Sequence, residues 1–138
     1  MPTYVLTKLA EALNEHFQKS ISGARILILG LAYKRDVDDM RESPSFVLIE
    51  RLEKAGALVD YHDPFIPVVP HSREHDELSG RKSVDVTERS LATYDAVMIV
   101  TDHTPVDYQM VSRHAQLNID PRNKSFRGED TKAIIVKA

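Results

Sequence analysis

A charged loop near the start of the chain holds the residues best able to do chemistry. Tyr33 and Lys34 follow the apolar run 25–30, and Arg41 stands just before Ser43-Pro44. Lysine offers phosphate oxygens a point charge and arginine a forked one, while tyrosine adds a flat ring and a hydroxyl. These residue types favour recognition of a phosphorylated ligand.

The same loop can also be interpreted as a solvated segment. Its cations alternate with Asp36, Asp38, Asp39 and Glu42, and surface ion pairs contribute only ~0–1 kcal/mol each. Position favours the binding interpretation, because open α/β sheets bind ligands beyond the carboxyl ends of their strands. The Gly-rich turn of a dinucleotide site is missing, since no glycine follows Gly30 in the loop.

The elements that must position this loop alternate between strands and helices. A four-residue apolar spacing from Val5 to Phe17 predicts a first helix. Strand 25–30, a helix begun by Ser43-Pro44 and strand 57–62 form a βαβ unit, which implies parallel pairing. Later elements are predicted as a short strand at 84–86, a helix at 88–92, a strand at 95–101, a helix from Thr104-Pro105 to about Ala115, and strands at 117–120 and 132–136. The pattern predicts an α/β fold, a Rossmann-like parallel sheet with flanking helices, preceded by an N-terminal helix.

Composition excludes several classes of protein. The 138 residues include 18 Lys and Arg against 21 Asp and Glu, a net charge of −3, so a general nucleic-acid binder is not expected. No apolar run approaches the roughly 20 residues of a membrane helix, and no signal peptide is visible. We therefore expect a cytoplasmic protein with neither nucleic-acid nor membrane partners. The absence of cysteine excludes thiolate metal sites and a cysteine nucleophile on this chain.

The histidines offer alternative sites. His71 and His75 have a spacing that could hold a metal on a helix, but their proline-rich surroundings favour surface histidines, and no metal site is predicted. His62 and His103 follow strands, where hydrogen-bonded structural histidines are the preferred interpretation. His103 beside Asp102 suggests an acid–base pair, yet no nucleophile stands next to it in the sequence, so no catalytic residue is assigned.

One long segment resembles the opening of the C-terminal domain of the UDP-glucose/GDP-mannose dehydrogenase family. It reads Gly30-Leu31-Ala32-Tyr33-Lys34-Arg35-Asp36-Val37-Asp38-Asp39-Met40-Arg41-Glu42-Ser43-Pro44. Shorter segments resemble the family in the same order at 1–5, 61–67, 94–103 and 119–123. The residues of these segments are most similar to those of the bacterial UDP-N-acetylglucosamine 6-dehydrogenases.

The resemblance implies part of an NAD-dependent UDP-sugar 6-dehydrogenase. Such an enzyme oxidises the C6 alcohol of a UDP-hexose or UDP-N-acetylhexosamine to a uronate for surface polysaccharides, through intermediates on a cysteine. Residues 1–22 would be a connecting helix that ends the central segment of a longer enzyme, and 23–138 the UDP-sugar-binding domain. NAD would be bound mainly by an N-terminal domain, and the whole enzyme would be a homodimer. Because this chain has no cysteine, it is expected to be inactive alone.

The resemblance also assigns individual residues. Tyr33, Lys34 and Arg122 resemble contacts to the UDP-sugar, and Arg41 resembles a residue that reaches the NAD phosphates when the domains close. Pro121 departs from the small or hydroxyl residue usual at its position, and it removes a backbone donor. The alternative is a stand-alone nucleotide-binding or regulatory α/β module without catalysis. A pure interaction domain, suggested only by the first helix, ranks last.

Overall fold

The structure, a computed structural model, describes residues 2–32, 34–39, 43–71, 76–120 and 134–136. The strands are β1 (Arg25–Leu29), β2 (Leu58–His62), β3 (Ala96–Ile99), β4 (Leu117–Ile119) and β5 (Ile134–Val136). The helices are α1 (Pro2–Phe17), α2 (Pro44–Lys54), α3 (Glu88–Ala92) and α4 (Tyr108–His114), with a 3-10 turn at Asp76–Leu78. The strands pair in parallel in the order β2-β1-β3-β4-β5. The predicted α/β sheet with a preceding helix is confirmed.

The register aligns the carboxyl ends of three neighbouring strands. Leu29, the last residue of β1, pairs with His62 of β2 on one side and with Ile99 of β3 on the other. The chain crosses from β2 past β1 to β3, so the order of the strands reverses direction at β1. Crevices at such a switch point, outside the carboxyl ends, are where open α/β sheets bind ligands.

Helices cover both faces of the sheet. Ile26 and Ile28 of β1 face a core cluster shared with α1 and α2, while Leu27 and Leu29 face a second cluster shared with α3 and α4. All four side chains are fully buried, and burial stabilises each by roughly 1.5–3 kcal/mol. A parallel strand covered on both faces needs a continuous apolar run, which explains the pattern of this segment.

Capping residues fix where the helix after the charged loop begins. Ser43 has an extended backbone and accepts a hydrogen bond from the Ser45 N–H, and Pro44 takes the first helical position. The Ser45 hydroxyl donates to the Gly30 carbonyl at 2.6 Å. The end of β1 and the start of α2 are therefore tied together.

The prediction of a short strand at 84–86 is wrong. Val84 and Val86 are partly buried against the second core cluster, so their alternation reflects packing and not a strand. The Val84 N–H donates to the Tyr61 carbonyl, but no ladder forms there. The preceding segment folds back through an antiparallel bridge between Val68 and Lys82.

The helix expected to begin at Thr104-Pro105 begins later, at Tyr108. Asp107 is its cap, and the Asp107 side chain accepts a hydrogen bond from the Met110 N–H at 3.1 Å. Thr104 is instead bound to Asp36 across the crevice. A Thr-Pro pair resembles a helix start, but here a distant carboxylate binds the threonine.

Helix α1 shares its core with the sheet. Leu9 and Leu13 are fully buried in the cluster that contains Ile26 and Ile28. The division into a connecting helix at 1–22 and a domain at 23–138 stays a prediction. In the part of the chain that the structure describes, no helix combines the length and apolar character needed to cross a membrane.

Gly30 lies where the ends of β1 and β3 approach each other closely. Its φ is +94°, and a Cβ there would lie 2.5 Å from the Cβ and the carbonyl oxygen of Thr101. Gly80 has a similar φ of +83° with nothing within 4 Å of the added Cβ. We expect Gly80→Ala to lower the free energy of unfolding by about 1–2 kcal/mol, and Gly30→Ala by about 1–3 kcal/mol more. Urea denaturation of both variants measures this, and equal losses would contradict the packing at Gly30.

Candidate functional site

The carboxyl ends of β1, β2 and β3 lie level at one edge of the sheet, and the space outside this edge is called the crevice. The segment 30–36 follows β1, Asp63 follows β2, and the segment 101–104 follows β3. Buried Asp120 follows β4 at the same edge of the sheet. Polar groups from four strands thus converge where the topology predicts a ligand site.

Asp63 is a buried carboxylate that organises the end of β1. One carboxylate oxygen, Oδ2, accepts hydrogen bonds from the N–H groups of Leu31 at 2.7 Å and Ala32 at 3.1 Å. The other oxygen, Oδ1, accepts from the Phe65 N–H at 2.8 Å. The Nε2 atom of His103 lies 2.8 Å from Oδ2. Since a buried charge without partners is costly, this set of donors explains how a carboxylate 1% exposed is kept in the fold.

His103 joins Asp63 to the charged loop. The Asp36 N–H donates to Nδ1 of His103 at 2.8 Å, so Nδ1 is an acceptor and the ring proton is assigned to Nε2, facing Asp63. The imidazole is 1% exposed, and the Phe65 ring lies 4.9 Å away between centroids. The expectation of a hydrogen-bonded structural histidine is confirmed here, and His62 likewise contacts the Val84 carbonyl at 2.6 Å.

The suggested acid–base pair of His103 with Asp102 is wrong. Asp102 binds the Arg35 guanidinium at 2.5 Å, while His103 binds Asp63. The Asp102 charge raises the pKa of Arg35 above its ordinary value, chiefly through this hydrogen bond. The acidic partner of His103 therefore comes from the end of a different strand.

Asp36 makes a further contact between the two loops. Its φ of +59° is left-handed, a conformation that Asp and Asn tolerate better than most residues. Its carboxylate accepts hydrogen bonds from the Thr104 hydroxyl and from the Thr104 N–H at 2.7 Å. These bonds to the ionised form hold the pKa of Asp36 below its ordinary value.

Tyr108 supports the segment that follows β3. Its hydroxyl donates to the His103 carbonyl at 2.9 Å. Burial raises the pKa of Tyr108 above its ordinary value, and the charge on Asp102 adds to the shift. The phenol therefore stays neutral and acts as a fixed donor that supports the 102–104 segment.

One of the residues expected at the site lies in the described part of the chain. Lys34 is exposed in the loop at the mouth of the crevice, between the anchored residues Ala32 and Asp36. Tyr33, Arg41 and Arg122 lie outside the described residues, as does Pro121, so their assignment stays a prediction.

Sequence reasoning missed Asp63. The strand-end rule points to it, because Asp63 directly follows the last residue of β2. The polar residues that follow β1, β3 and β4 are more numerous in the sequence and give the stronger signal. Asp36 and Thr104 are 68 positions apart, and Arg35 and Asp102 are 67 positions apart. No local sequence pattern predicts contacts over such separations.

In the described part of the chain, the buried groups of the crevice bind one another, and no cluster of three His, Asp or Glu side chains could hold a metal ion. Exposed Lys34 is left at the mouth as a cation able to meet an anionic ligand.

Comparison with known proteins agrees with this picture. The model of the UDP-glucose/GDP-mannose dehydrogenase family, UDP binding domain, matches residues 27–126. The chain belongs to this family. The match begins within β1 and includes the charged loop and the polar segments after β2, β3 and β4, so this UDP-binding domain holds the whole crevice. The resemblance drawn from the charged loop is confirmed.

Individual relatives are longer proteins. UDP-glucose 6-dehydrogenase YwqF from Bacillus subtilis is 37% identical over 59% of this chain, and UDP-glucose 6-dehydrogenase from Pseudomonas aeruginosa is 32% identical over 83%. The solved structure of UDP-D-ManNAc dehydrogenase from Pyrococcus horikoshii matches 97% of the chain with a TM-score of 0.72 at 27% identity. The chain spans 18%, 27% and 29% of the lengths of these three proteins. Assignment to the UDP-N-acetylglucosamine branch stays a prediction.

The Asp36 carboxylate gives the site a testable pH dependence. Its pKa in the folded state lies below the unfolded value, near 3.8, so its stabilisation is present above that pH and is lost as the pH falls. Asp36→Asn keeps a residue that tolerates the left-handed backbone and removes the charge. We expect the variant to be less stable than the parent at pH 7, with the difference shrinking below about pH 4.

Denaturation with urea at several pH values measures this difference. Asp85→Asn, at an exposed aspartate, is the control for loss of one negative charge. A difference between Asp36→Asn and the parent that stays constant from neutral to acid pH would show that the ionised carboxylate does not hold the two loops together.

Proposed function

We propose that this chain is the UDP-sugar-binding domain of an NAD-dependent nucleotide-sugar 6-dehydrogenase. The observation that carries the proposal is the position of Lys34, exposed at the mouth of the crevice where the strand order reverses. The family match and the names of the relatives support it, because UDP is common to their substrates while the sugar differs. In this proposal the domain recognises the uridine diphosphate.

Lys34 would bind the diphosphate through its ammonium group. A compact charge on a flexible stem suits phosphate oxygens that can approach from several directions. Tyr33 and Arg122 would complete the UDP-sugar contacts, with Arg122 two residues beyond Asp120 at the end of β4. The crevice edge would then provide cations from two different strand ends.

The remaining chemistry belongs to parts of a longer enzyme. NAD, when bound, supplies the acceptor for hydride, and it would be held mainly by another domain, with Arg41 reaching its phosphates on closure. A cysteine must come from outside this chain, which has none. The complete enzyme would be a homodimer, and its sugar would be oxidised at C6 to a uronate.

Isothermal titration of the chain with UDP tests the proposal. Loss of a hydrogen bond to a charged group costs about 1.5–3 kcal/mol, so Lys34→Ala is expected to weaken UDP binding by about tenfold or more. The matched control is Lys54→Ala, which removes the same charge from an exposed site at the end of α2, at the opposite edge of the sheet. Its UDP affinity should match that of the parent.

Two results would contradict the proposal. One is that the parent chain shows no heat of binding at millimolar UDP. The other is that Lys34→Ala binds UDP as tightly as Lys54→Ala does. Titration with UDP-glucose and UDP-N-acetylglucosamine in the same series measures how much the sugar adds to the affinity.

A further inference from the structure

The segment that carries Lys34 is anchored on both sides by one buried pair. On its N-terminal side, the Leu31 and Ala32 N–H groups donate to Asp63. On its C-terminal side, the Asp36 N–H donates to Nδ1 of His103. Asp63 and His103 are themselves in hydrogen-bond contact at 2.8 Å. The carboxylate and the imidazole therefore hold the backbone on both sides of Lys34.

The two hydrogen bonds of His103 determine which of its ring nitrogens carries the proton. Nδ1 must present a lone pair to the Asp36 N–H, while Nε2 must carry a proton for Asp63. A ring with a proton on Nδ1 would point a donor at a donor, and the bond to Asp36 would be lost. His103 can thus hold the loop only as the neutral tautomer protonated at Nε2.

The other contacts at this end of the loop lie nearer the solvent. The Arg35 side chain is 54% exposed in its pair with Asp102, and the Asp36 side chain is 41% exposed. Exposed charged contacts are screened by salt, whereas the bond to His103, 1% exposed, is sheltered from water. The hydrogen bond from the Asp36 N–H to His103 is therefore the contact at this end of the loop that ionic strength weakens least.

A loop fixed before binding loses less conformational freedom when a ligand arrives. The geometry points to His103 as a positioning residue for Lys34. The Nδ1 acceptor of His103 fixes the backbone at Asp36, and the fixed backbone presents the Lys34 ammonium group to the diphosphate. This inference rests on the proposed function, because it takes UDP as the ligand of Lys34. His103 itself need not touch the nucleotide.

Two substitutions separate the roles of the two ring nitrogens. In His103→Asn, the side-chain oxygen can take the place of Nδ1 and keep the acceptor for Asp36. In His103→Gln, the amide nitrogen can take the place of Nε2 and keep the donor to Asp63 while the acceptor at Nδ1 is lost. His62→Gln, at the end of β2, is the control for loss of an imidazole near the crevice.

The measurements are UDP affinity by isothermal titration and hydrogen exchange of the Asp36 amide by NMR. We expect His103→Gln to weaken UDP binding and to speed Asp36 exchange by about tenfold each. His103→Asn and His62→Gln should stay within about threefold of the parent in both measurements. Equal affinity and equal exchange in His103→Gln and the parent would overturn the inference, as would equal losses in His103→Gln and His103→Asn.

A measurement on the unmodified chain keeps the inference testable if a variant does not fold. The ¹⁵N shifts of the His103 ring should show a proton on Nε2 and none on Nδ1, and a proton on Nδ1 would overturn the inference. If the parent does not bind UDP but Asp36 exchange separates the two variants as expected, the proposed function fails and the role of His103 in holding the loop is supported.

Discussion

The crevice depends on a carboxylate that is buried and fully hydrogen-bonded. Asp63 accepts from three backbone N–H groups and contacts the imidazole of His103. These bonds join the ends of β1, β2 and β3, which parallel pairing brings together but does not lock. Removing one partner would leave charged or polar groups buried without compensation, which is far more costly than the loss of a surface pair. Lys34 can therefore lie open to solvent while the backbone at Ala32 and at Asp36 is held in place.

The apolar core of the sheet and the hydrogen bonds of Asp63 stabilise different parts of the fold. Apolar side chains on both faces of β1 and β3 fix the register and so the level at which the strands end. The order β2-β1-β3 opens a crevice at that level. The family match shows which domain this is, and the proposed function uses the crevice for a nucleotide diphosphate. In the proposed function the chain supplies a binding surface, and a cysteine nucleophile would have to come from outside this chain, which has none.

Local signals in the sequence were sufficient for most of the fold. The continuous apolar run at β1, the Ser43-Pro44 cap and the apolar stripe of α1 each determine an element through short-range chemistry, and all three are confirmed. The charged loop was also located correctly, because a strand end before a capped helix is visible in the sequence. The errors occurred where a distant partner decides the outcome. Thr104 resembles a helix cap until Asp36 binds it.

The same limit applies to His103. Its neighbour in sequence, Asp102, suggested a pair, but the two side chains bind different partners, Arg35 and Asp63. Asp63 stands 40 positions away from His103, and only the parallel register of β1 with β2 and β3 brings them together. A single sequence shows which residues can ionise or donate, but the pairing of those groups follows from the sheet.

The most direct test of the account is a map of the UDP-binding surface by two-dimensional ¹⁵N NMR titration of this chain. The account predicts that the largest amide shifts fall at 31–36 and 101–104, while amides at the opposite edge of the sheet, at 19–24 and 54–57, stay unchanged. Titration with uridine alone should give smaller shifts at 31–36, because the diphosphate is absent. Shifts concentrated at the opposite edge, or no shifts at millimolar UDP, would contradict the central claim that this crevice binds the nucleotide diphosphate.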